Sequence, residues 1–546
     1  MTRLLGTLLA FALAWLIGYF LVVALWRDRS RDPADHLIHA VAAFGLGAGI
    51  VAALDFLCLV VMGKASHAIV FADLAMLVGV CAVYRLGRKP SAPSSARIPG
   101  WASRGVFLLF VAIALGIVGT MLLRAPDGAW DAIAIWNMHA KFFSATTPGA
   151  WKGVFDPIME LSHPDYPPLL PAFVARGWMY AGQSIPLVPM TLAFTFTLAI
   201  LGLMTAAVAS VRGAMLGALA CAVLAASPIF LGTALSQYAD MPLAFYFLLA
   251  VTLLHRADQE PEPHAGLHVL AGLAASMAAL TKNEGSLFIV ALGAGRLLRM
   301  LLVGHARREL KSLVWLLVGM VPILGCLLLY KSFTPANYLV SGQGKDFWGK
   351  LLSRPRAQLI IEQLAVELER PHSFSVGYVQ KVRTWHWHLL AASSFILLFG
   401  IDRRRFARGF SKWGLVFVVF GLLADIVGTR LATGAFGWHW WVALIATVLI
   451  VVLGFNLQRL RQPSFLAPAT TLILVNAGYF VVYMLTPLDL RWQLMFSIER
   501  LVFHTMPLAI FVAFLAMASW GRDRASVESR SSAPGGRVDF GHGDST

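Results

Sequence analysis

The chain has 546 residues, of which 58% are hydrophobic and only 13% are charged, and its formal net charge is +16. A soluble domain could not bury that much apolar surface, and many apolar runs approach the length needed to cross about 30 Å of hydrocarbon. The basic residues lie in short segments between these runs, which is typical of cytoplasmic loops and argues against a nucleic-acid-binding domain. We therefore predict an all-α, polytopic helical membrane protein.

The apolar runs predict about 13 to 15 transmembrane helices. In chain order the candidate spans are residues 4–26, 37–62, 68–85, 105–124, 186–210, 214–232, 241–255, 266–280, 286–303, 312–331, 387–401, 413–430, 437–456, 464–486 and 501–520. A short run such as 387–401 has a re-entrant loop as its alternative. The four cysteines all lie inside apolar runs without metal-ligand spacing, so we interpret them as small buried side chains.

The spans and the polar segments between them predict five parts. These are N-terminal transmembrane helices at 1–104, a transmembrane module at 105–331 with a first external loop at 125–185, a periplasmic loop or cap at 332–386, C-terminal transmembrane helices at 387–520, and a disordered cytoplasmic tail at 521–546. The orientation of the first two spans stays open, because the loop between them carries three Arg and three Asp. Residues 167–182 are apolar but short, begin with prolines and contain Arg176, which favours a helix in the membrane interface over a span.

Four polar segments are predicted to return to the external face, and their carboxylates are the first candidates for chemistry. They are residues 127–165, 237–242, 281–285 and 486–492. A carboxylate where an apolar helix begins is costly, and lysines or arginines beside it would suit an anionic headgroup. Structural roles are the alternatives: helix capping for Asp131 and Asp240, a local ion pair for Glu284 with Lys282, and support of a proline turn for Asp165.

Three acids fall within predicted spans, away from these segments. Asp55, Asp73 and Asp425 are interpreted as helix–helix contacts, with a polar pathway as the alternative.

Five segments occur in order at the external ends of the spans: WDAIAIWNMHAKFF, HPDYPPLLP, QYADMPLAF, LTKNEG and TPLDLRWQLMFSIERL. Together they resemble the bacterial GT-C membrane glycosyltransferases, the clan of protein mannosyltransferases, lipid A aminoarabinose transferases and lipopolysaccharide-core galacturonosyltransferases. The resemblance covers roughly residues 105–300 and, more loosely, 470–515. One departure is Gln493, where a histidine is expected after the tryptophan of the last segment.

The resemblance implies a GT-C type bundle with periplasmic interfacial helices and an inverting glycosyltransferase that uses a polyprenyl-phosphate sugar donor. Asp131 matches the general base of the first external loop, Asp240 the acid of the second external loop, and Asp165 a further acid of the first loop. Candidate ligands of the donor phosphate are Lys282, Arg500 and Lys141. Candidate substrate-contacting residues are Trp136, Asn137, His163, Tyr166, Tyr238 and Glu284.

Elementary chemistry agrees with these roles. Displacement at an anomeric carbon needs one base for the acceptor proton and cations for the phosphate that leaves. Trp130, Trp136, Trp151 and Trp178 offer flat faces for sugar rings, and Asn137 and Lys141 share a helix face at four-residue spacing. No metal ligands are assigned, although Asp131 and Asp240 would hold Mg²⁺ or Mn²⁺ if the donor were a pyrophosphate.

The sequence therefore predicts transfer of a sugar to a hydroxyl of a lipid, lipopolysaccharide, glycan or protein at the periplasmic face of the bacterial inner membrane. The expected partners are the polyprenyl-phosphate donor, an envelope acceptor and membrane lipids, with no nucleic acid. An O-antigen polymerase or ligase is an alternative that should depend on external arginines and a histidine. A transporter or flippase of lipid-linked sugars is another, and it should carry ionisable residues near the bilayer midplane.

Overall fold

The computed structural model describes residues 2–26, 33–86, 123–225, 227–260, 262–303, 306–335, 346–369 and 462–516, with four isolated residues between 112 and 120. Every regular element within these residues is helical. The α-helices are α1 (Thr2–Leu25), α2 (Pro33–Met62), α3 (Ala68–Leu86), α4 (Asn137–Phe143), α5 (Leu169–Ala181), α6 (Leu187–Arg212), α7 (Ala214–Ala225), α8 (Pro228–Ser236), α9 (Asp240–Ala257), α10 (Ala265–Thr281), α11 (Glu284–Val303), α12 (Ala306–Lys331), α13 (Phe347–Leu351), α14 (Arg354–Glu369), α15 (Pro463–Leu485) and α16 (Leu490–Ala516). A π-helical turn at Ala132–Trp136 precedes α4, and 3₁₀ turns at Ala150–Phe155 and Pro157–Ser162 follow it.

Eight of the described helices are long and apolar enough to cross a membrane: α1, α2, α3, α6, α11, α12, α15 and α16. This confirms the prediction of a polytopic helical membrane protein. The predicted spans at 387–401, 413–430 and 437–456, most of 105–124, and the tail at 521–546 lie outside the described residues.

Helix α9 occupies the interior of the described bundle. All of its residues except Arg256 are buried, and it packs against α6 and α10. A helix that is apolar all round belongs inside a protein rather than at one of its faces. Because Asp240 is the first residue of α9, its carboxylate is held at the end of the most enclosed helix.

Small residues let α1 and α2 cross at close range. A Cβ atom added to Gly18 would lie 1.8 Å from the Ala43 carbonyl oxygen, and one added to Gly47 would lie 1.8 Å from that of Ala14. Each helix therefore presents an alanine and a glycine four residues apart, a pattern that drives helix association in membranes by close packing.

Two sets of contacts assign the loops to opposite ends of the bundle. The turn after α2 joins the first external loop, since Ala65 N–H donates to Ala145 O at 2.9 Å and Gly149 N–H donates to Gly63 O at 2.8 Å. At the other end of α9, Arg256 pairs with Asp35 at 3.4 Å. The start of α2 therefore lies at the end opposite the first external loop, which orients α2 relative to the rest.

The boundaries of two predicted spans are wrong. The predicted span 214–232 is two helices, because Pro228 at the first position of α8 has no N–H with which to continue α7. The last span, predicted at 501–520, begins at Leu490, so Arg500 lies within α16 rather than before it.

Helix α5, predicted to lie in the membrane interface, is buried among its neighbours through most of its length. Its Arg176 is fully buried and donates from Nε to the Asp73 carboxylate at 2.7 Å and from Nη1 to the Ala10 carbonyl at 3.0 Å. The Tyr180 hydroxyl donates to the same Asp73 oxygen at 2.7 Å. The helix–helix role predicted for Asp73 is confirmed.

Part of the predicted cap is described, and it packs on the end of α15. Arg356 of α14 donates to the Met484 carbonyl at 2.9 Å and to the Tyr483 carbonyl at 3.1 Å. These carbonyls belong to the last turn of α15, which lacks intrahelical donors, so the arginine acts as a C-terminal cap.

Candidate active site

The site is centred on the Asp240 carboxylate, whose side chain is 1% exposed. Lys282 Nζ donates to Oδ1 at 3.1 Å, and Arg500 donates from Nη2 to Oδ2 at 2.9 Å. His504 Nε2 also contacts Oδ1. A carboxylate buried this deeply is compensated only by such charged and hydrogen-bonding partners.

Two further acids extend the cluster in opposite directions. Arg500 Nη1 contacts Asp131 Oδ2 at 2.7 Å, and Lys282 Nζ contacts Glu284 Oε1 at 3.2 Å. The result is an alternating chain of negative and positive groups, which we call the ion cluster: Asp131, Arg500, Asp240, Lys282 and Glu284. The Asp131, Arg500 and Glu284 side chains are 14%, 24% and 22% exposed, so they form its accessible side.

The start of the first external loop is fastened to the corner between α8 and α9. Ala129 N–H donates to the Ser236 carbonyl at 3.0 Å, and Gln237 Nε2 donates to the Pro126 carbonyl at 3.0 Å. Gln237 adopts φ +58°, a left-handed conformation that is uncommon for a residue other than glycine. This corner brings Asp131 and Asp240 to the same arginine.

The LTKNEG segment forms the tight turn from α10 to α11. Lys282 is the residue after α10 and Glu284 is the first residue of α11, so one turn presents both charges. A Cβ atom on Gly285 would lie 2.1 Å from the backbone of Ala278, so the chain crosses itself too closely for a side chain there.

Helix capping was the structural alternative for Asp131 and Asp240, but neither carboxylate caps a helix. Asp131 stands at the N-terminal cap position of the π-helical turn and Asp240 in the first turn of α9, and neither start has a side-chain capping bond. Asp489, by contrast, accepts from Trp492 N–H at 2.8 Å at the start of α16 and is a cap.

Tyr166 connects the first external loop to the ion cluster. Trp136 and His163 both stack on its ring, at centroid distances of 5.4 and 4.8 Å, and Lys282 Nζ lies 5.8 Å from the ring centre. Burial raises the pKa of Tyr166 well above its usual value and lowers the pKa of His163. At neutral pH the phenol therefore keeps its proton and the imidazole is neutral.

The indole of Trp136 is 2% exposed, so it supports Tyr166 rather than offering a face to a sugar. Trp151 and Trp178 are likewise 1% and 5% exposed. Trp130, at 76% exposure, is the indole of these four that presents an open face. The expectation of four sugar-stacking tryptophans is corrected on this geometry, because three of them serve as core.

Asp165 joins the first external loop to the LTKNEG turn. Asn283 Nδ2 donates to Asp165 Oδ2 at 2.7 Å, and Lys331 Nζ donates to Asn283 Oδ1 at 2.7 Å and also contacts the Asp165 carbonyl. These contacts connect Asp165 to the LTKNEG turn rather than to the proline turn that it was predicted to support.

Of three other predicted site residues, Tyr238 contacts the ion cluster. The Tyr238 ring lies 4.9 Å from the Arg500 guanidinium carbon, a cation–π contact, and burial raises the pKa of Tyr238. Lys141 is exposed and Asn137 is half-buried, and the described contacts join neither side chain to the ion cluster.

The sequence reasoning missed His504, because it lies inside an apolar run. The signal that would have found it is its spacing: Arg500 and His504 stand four residues apart on α16, so they share a helix face. Behind it, the Tyr479 hydroxyl lies 3.3 Å from His504 Nδ1.

One polar atom of the ion cluster, Glu284 Oε2, lacks a hydrogen-bond partner among the described residues. Glu284 Oε2 is buried and accepts no hydrogen bond from the described residues, while its own backbone N–H adjoins the carboxylate. A buried acceptor left in this way is costly unless a ligand or water donates to it. Among the described residues, no group of three or more histidines, cysteines and acids is arranged to hold a metal ion.

Comparisons with known proteins add little to this geometry. No family model matches the chain, and no curated protein matches its sequence. One solved structure that matches is the crystal structure of ArnT from Cupriavidus metallidurans in the apo state, at 16% identity and a TM-score of 0.33, over 76% of this chain and 78% of that one. At this identity and TM-score the similarity assigns no reaction, substrate or residue role.

Proposed function

We propose that the chain is an inverting membrane glycosyltransferase (class EC 2.4) that moves a sugar from a polyprenyl-phosphate carrier to a hydroxyl acceptor. The observation that carries the proposal is the ion cluster itself. Charged residues from four parts of the chain that are far apart in the sequence, Asp131, Asp240, the turn with Lys282 and Glu284, and Arg500, meet in this cluster. Two of its three acids, Asp131 and Glu284, are partly exposed beside the two cations, and clusters of interacting charged groups of this kind are concentrated at functional sites.

The proposed reaction uses these groups in separate roles. The acceptor oxygen attacks the anomeric carbon and gives its proton to Asp131. The bond between the anomeric carbon and the phosphate oxygen breaks, and its electron pair stays on the phosphate. Arg500 and Lys282 stabilise the charge that develops there, as preorganised cations do at other leaving groups.

The remaining residues bind and orient. The Tyr238 hydroxyl, protonated at neutral pH, is available as a donor beside Arg500. Glu284, whose side chain is 22% exposed, would accept a hydrogen bond from a sugar hydroxyl. Asp240 keeps both cations in place, because its carboxylate is too enclosed to reach a substrate.

The proposed setting is the bacterial inner membrane, with the site at the periplasmic face and the polyprenyl tail among the apolar helices. The positive-inside pattern supports this orientation, and the acids lie at one end of the described bundle. The acceptor is an envelope lipid, lipopolysaccharide, glycan or protein.

A test compares envelope lipids and glycans by mass spectrometry in cells with and without the protein. Cells that carry Asp131→Asn form the third arm, and Asp127→Asn, an exposed acid of the same loop, forms the matched control. The proposal is supported if cells without the protein lose a sugar increment, if the wild type and Asp127→Asn restore it, and if Asp131→Asn does not. If neither glycans nor lipid-linked sugars change, a transporter becomes the better interpretation.

One observation favours a second candidate, an O-antigen polymerase or ligase. Arg500 and His504 stand side by side on the same carboxylate, and an external arginine with a histidine is what that function requires. The two candidates separate on Asp131, since a polymerase or ligase would keep its activity in Asp131→Asn.

A further inference from the structure

Arg500 makes more contacts with Asp240 than with Asp131. Towards Asp240 it donates from Nη2 to Oδ2 at 2.9 Å and from Nε to Oδ2 at 3.2 Å and Oδ1 at 3.3 Å, and this side chain is 1% exposed. Towards Asp131 it makes one contact, from Nη1 at 2.7 Å, to a side chain that is 14% exposed. The Asp240 pairing is therefore the anchored one, and the Asp131 pairing is the one that water and ligands can reach.

Each of the three guanidinium nitrogens already faces a carboxylate, and the Tyr238 ring lies against the group. A phosphate that binds the open side of Arg500 would lie beside the Asp131 carboxylate, and both groups carry negative charge on the same guanidinium. Like charges this close repel strongly where solvent is partly excluded. One anion must leave, and Asp240 is held in addition by Lys282 and His504.

We propose that the donor phosphate replaces Asp131 on Arg500, so that donor binding itself releases the base. This inference rests on the proposed glycosyltransferase function and adds to it an order of events. Before the donor binds, the Asp131 carboxylate is occupied by its contact with Arg500 Nη1. After the exchange it is a free carboxylate beside the anomeric carbon, ready for the acceptor proton. Arg500 is then a positioning residue for the base as well as a ligand of the phosphate.

The exchange predicts a result that a purely structural ion pair would not give. Asp131→Asn removes the competitor for Arg500, so this variant should bind a polyprenyl monophosphate more tightly than the wild type while it loses transfer. The expected change is about five-fold in Kd, equal to about 1 kcal/mol. The probe is farnesyl phosphate, titrated calorimetrically into the purified full-length protein in detergent.

Two further variants complete the experiment. Asp127→Asn removes an exposed carboxylate four residues earlier in the same loop and should leave the Kd unchanged. Arg500→Gln should weaken binding, and Arg500→Lys serves in its place if the glutamine variant does not fold, as judged by its Tm. Tighter binding in Asp131→Asn alone supports the exchange.

The other outcomes separate this inference from the function on which it rests. If Arg500→Gln weakens binding but Asp131→Asn leaves the Kd unchanged or raises it, Arg500 binds phosphate without exchange and only this inference falls. An equal gain in Asp127→Asn would also overturn it, because the effect would then be one of net charge. If the wild type does not bind farnesyl phosphate, the polyprenyl-phosphate donor is wrong and both proposals fall.

Discussion

His504 lies one helical turn beyond Arg500 on α16, and both side chains meet the carboxylate at the first residue of α9. Two side chains of α16 therefore bind the same carboxylate at the N-terminal end of α9. The ion cluster can form only when α16 is correctly positioned relative to α9, and the effects expected of several substitutions follow from this.

Asp131→Asn should keep the fold and abolish transfer. The amide has the shape of the carboxylate but cannot take the acceptor proton, and general bases typically contribute about 10²- to 10⁴-fold in rate. Transfer is measured as the sugar increment on envelope glycans by mass spectrometry, with expression and Tm as fold controls. Turnover like that of the wild type would remove Asp131 from the mechanism.

His504→Leu should destabilise the protein and His504→Gln should do so much less. The leucine removes one of the hydrogen bonds to Asp240 Oδ1, which keeps Lys282 as a donor, and a hydrogen bond to a charged group contributes about 1.5–3 kcal/mol. The glutamine amide nitrogen can take the place of Nε2. Thermal unfolding in detergent compares the two, and equal Tm values would show that the contact contributes nothing.

Arg176→Met should lower stability by about 3–5 kcal/mol, because it leaves the fully buried Asp73 carboxylate without its arginine. The double variant Arg176→Met/Asp73→Leu should recover most of the loss, since it removes both charges. A double-mutant cycle compares the stability of Arg176→Met, Asp73→Leu and the double variant by chemical denaturation. If the stability losses of the two single variants add up to that of the double variant, the two residues are not coupled.

Gly285→Ala should disrupt the LTKNEG turn and reduce transfer strongly, because a Cβ there would lie 2.1 Å from the Ala278 backbone. Gly293→Ala is the matched control on the same helix, since a Cβ at Gly293 meets nothing within 4 Å. It should be neutral or stabilising by about 0.5–1 kcal/mol. Similar activity in both variants would contradict the close crossing.

Stability should fall as pH decreases from about 6.5 towards 4, in part through His139. Burial lowers the pKa of this imidazole to about 4, so in that window the unfolded chain binds a proton that the folded chain does not. The contribution is fully present above pH 6.5 and lost progressively below it, by about 3 kcal/mol in total. His139→Gln should flatten this part of the stability curve, and an unchanged slope would contradict the assignment.

The membrane helices could be predicted because each apolar run is long enough to need hydrocarbon or a buried interior. The start of α16 could not, since Arg491, Glu499 and Arg500 lower the hydropathy of its first turns. Those turns stay helical because the site, and not lipid, surrounds Arg500. Trp136 shows a similar failure: sequence places it in a polar loop, but only the packing of Tyr166 reveals that it is covered.

Local patterns identified the charged residues of the site but not their partners. Lys282 and Glu284 sit in one turn, so their pairing could be predicted. The pairing of Asp131 with Arg500 depends on how α16 packs beside the first external loop. The spacing of residues in the sequence does not predict this packing. His504 could have been found only by asking which residue shares a helix face with Arg500.

The C-terminal end of α16 is also held by side-chain contacts. Arg212 donates from Nε to the Phe514 carbonyl at 2.8 Å and also contacts the Leu515 carbonyl. Inserting or deleting one residue between His504 and Phe514 would rotate one end against the other by about 100°, so either Arg212 or Asp240 would lose its partner. Among homologues, we expect length variation to accumulate in the loops and to be absent from this stretch, which makes the spacing from His504 to Phe514 a practical marker for aligning diverged sequences.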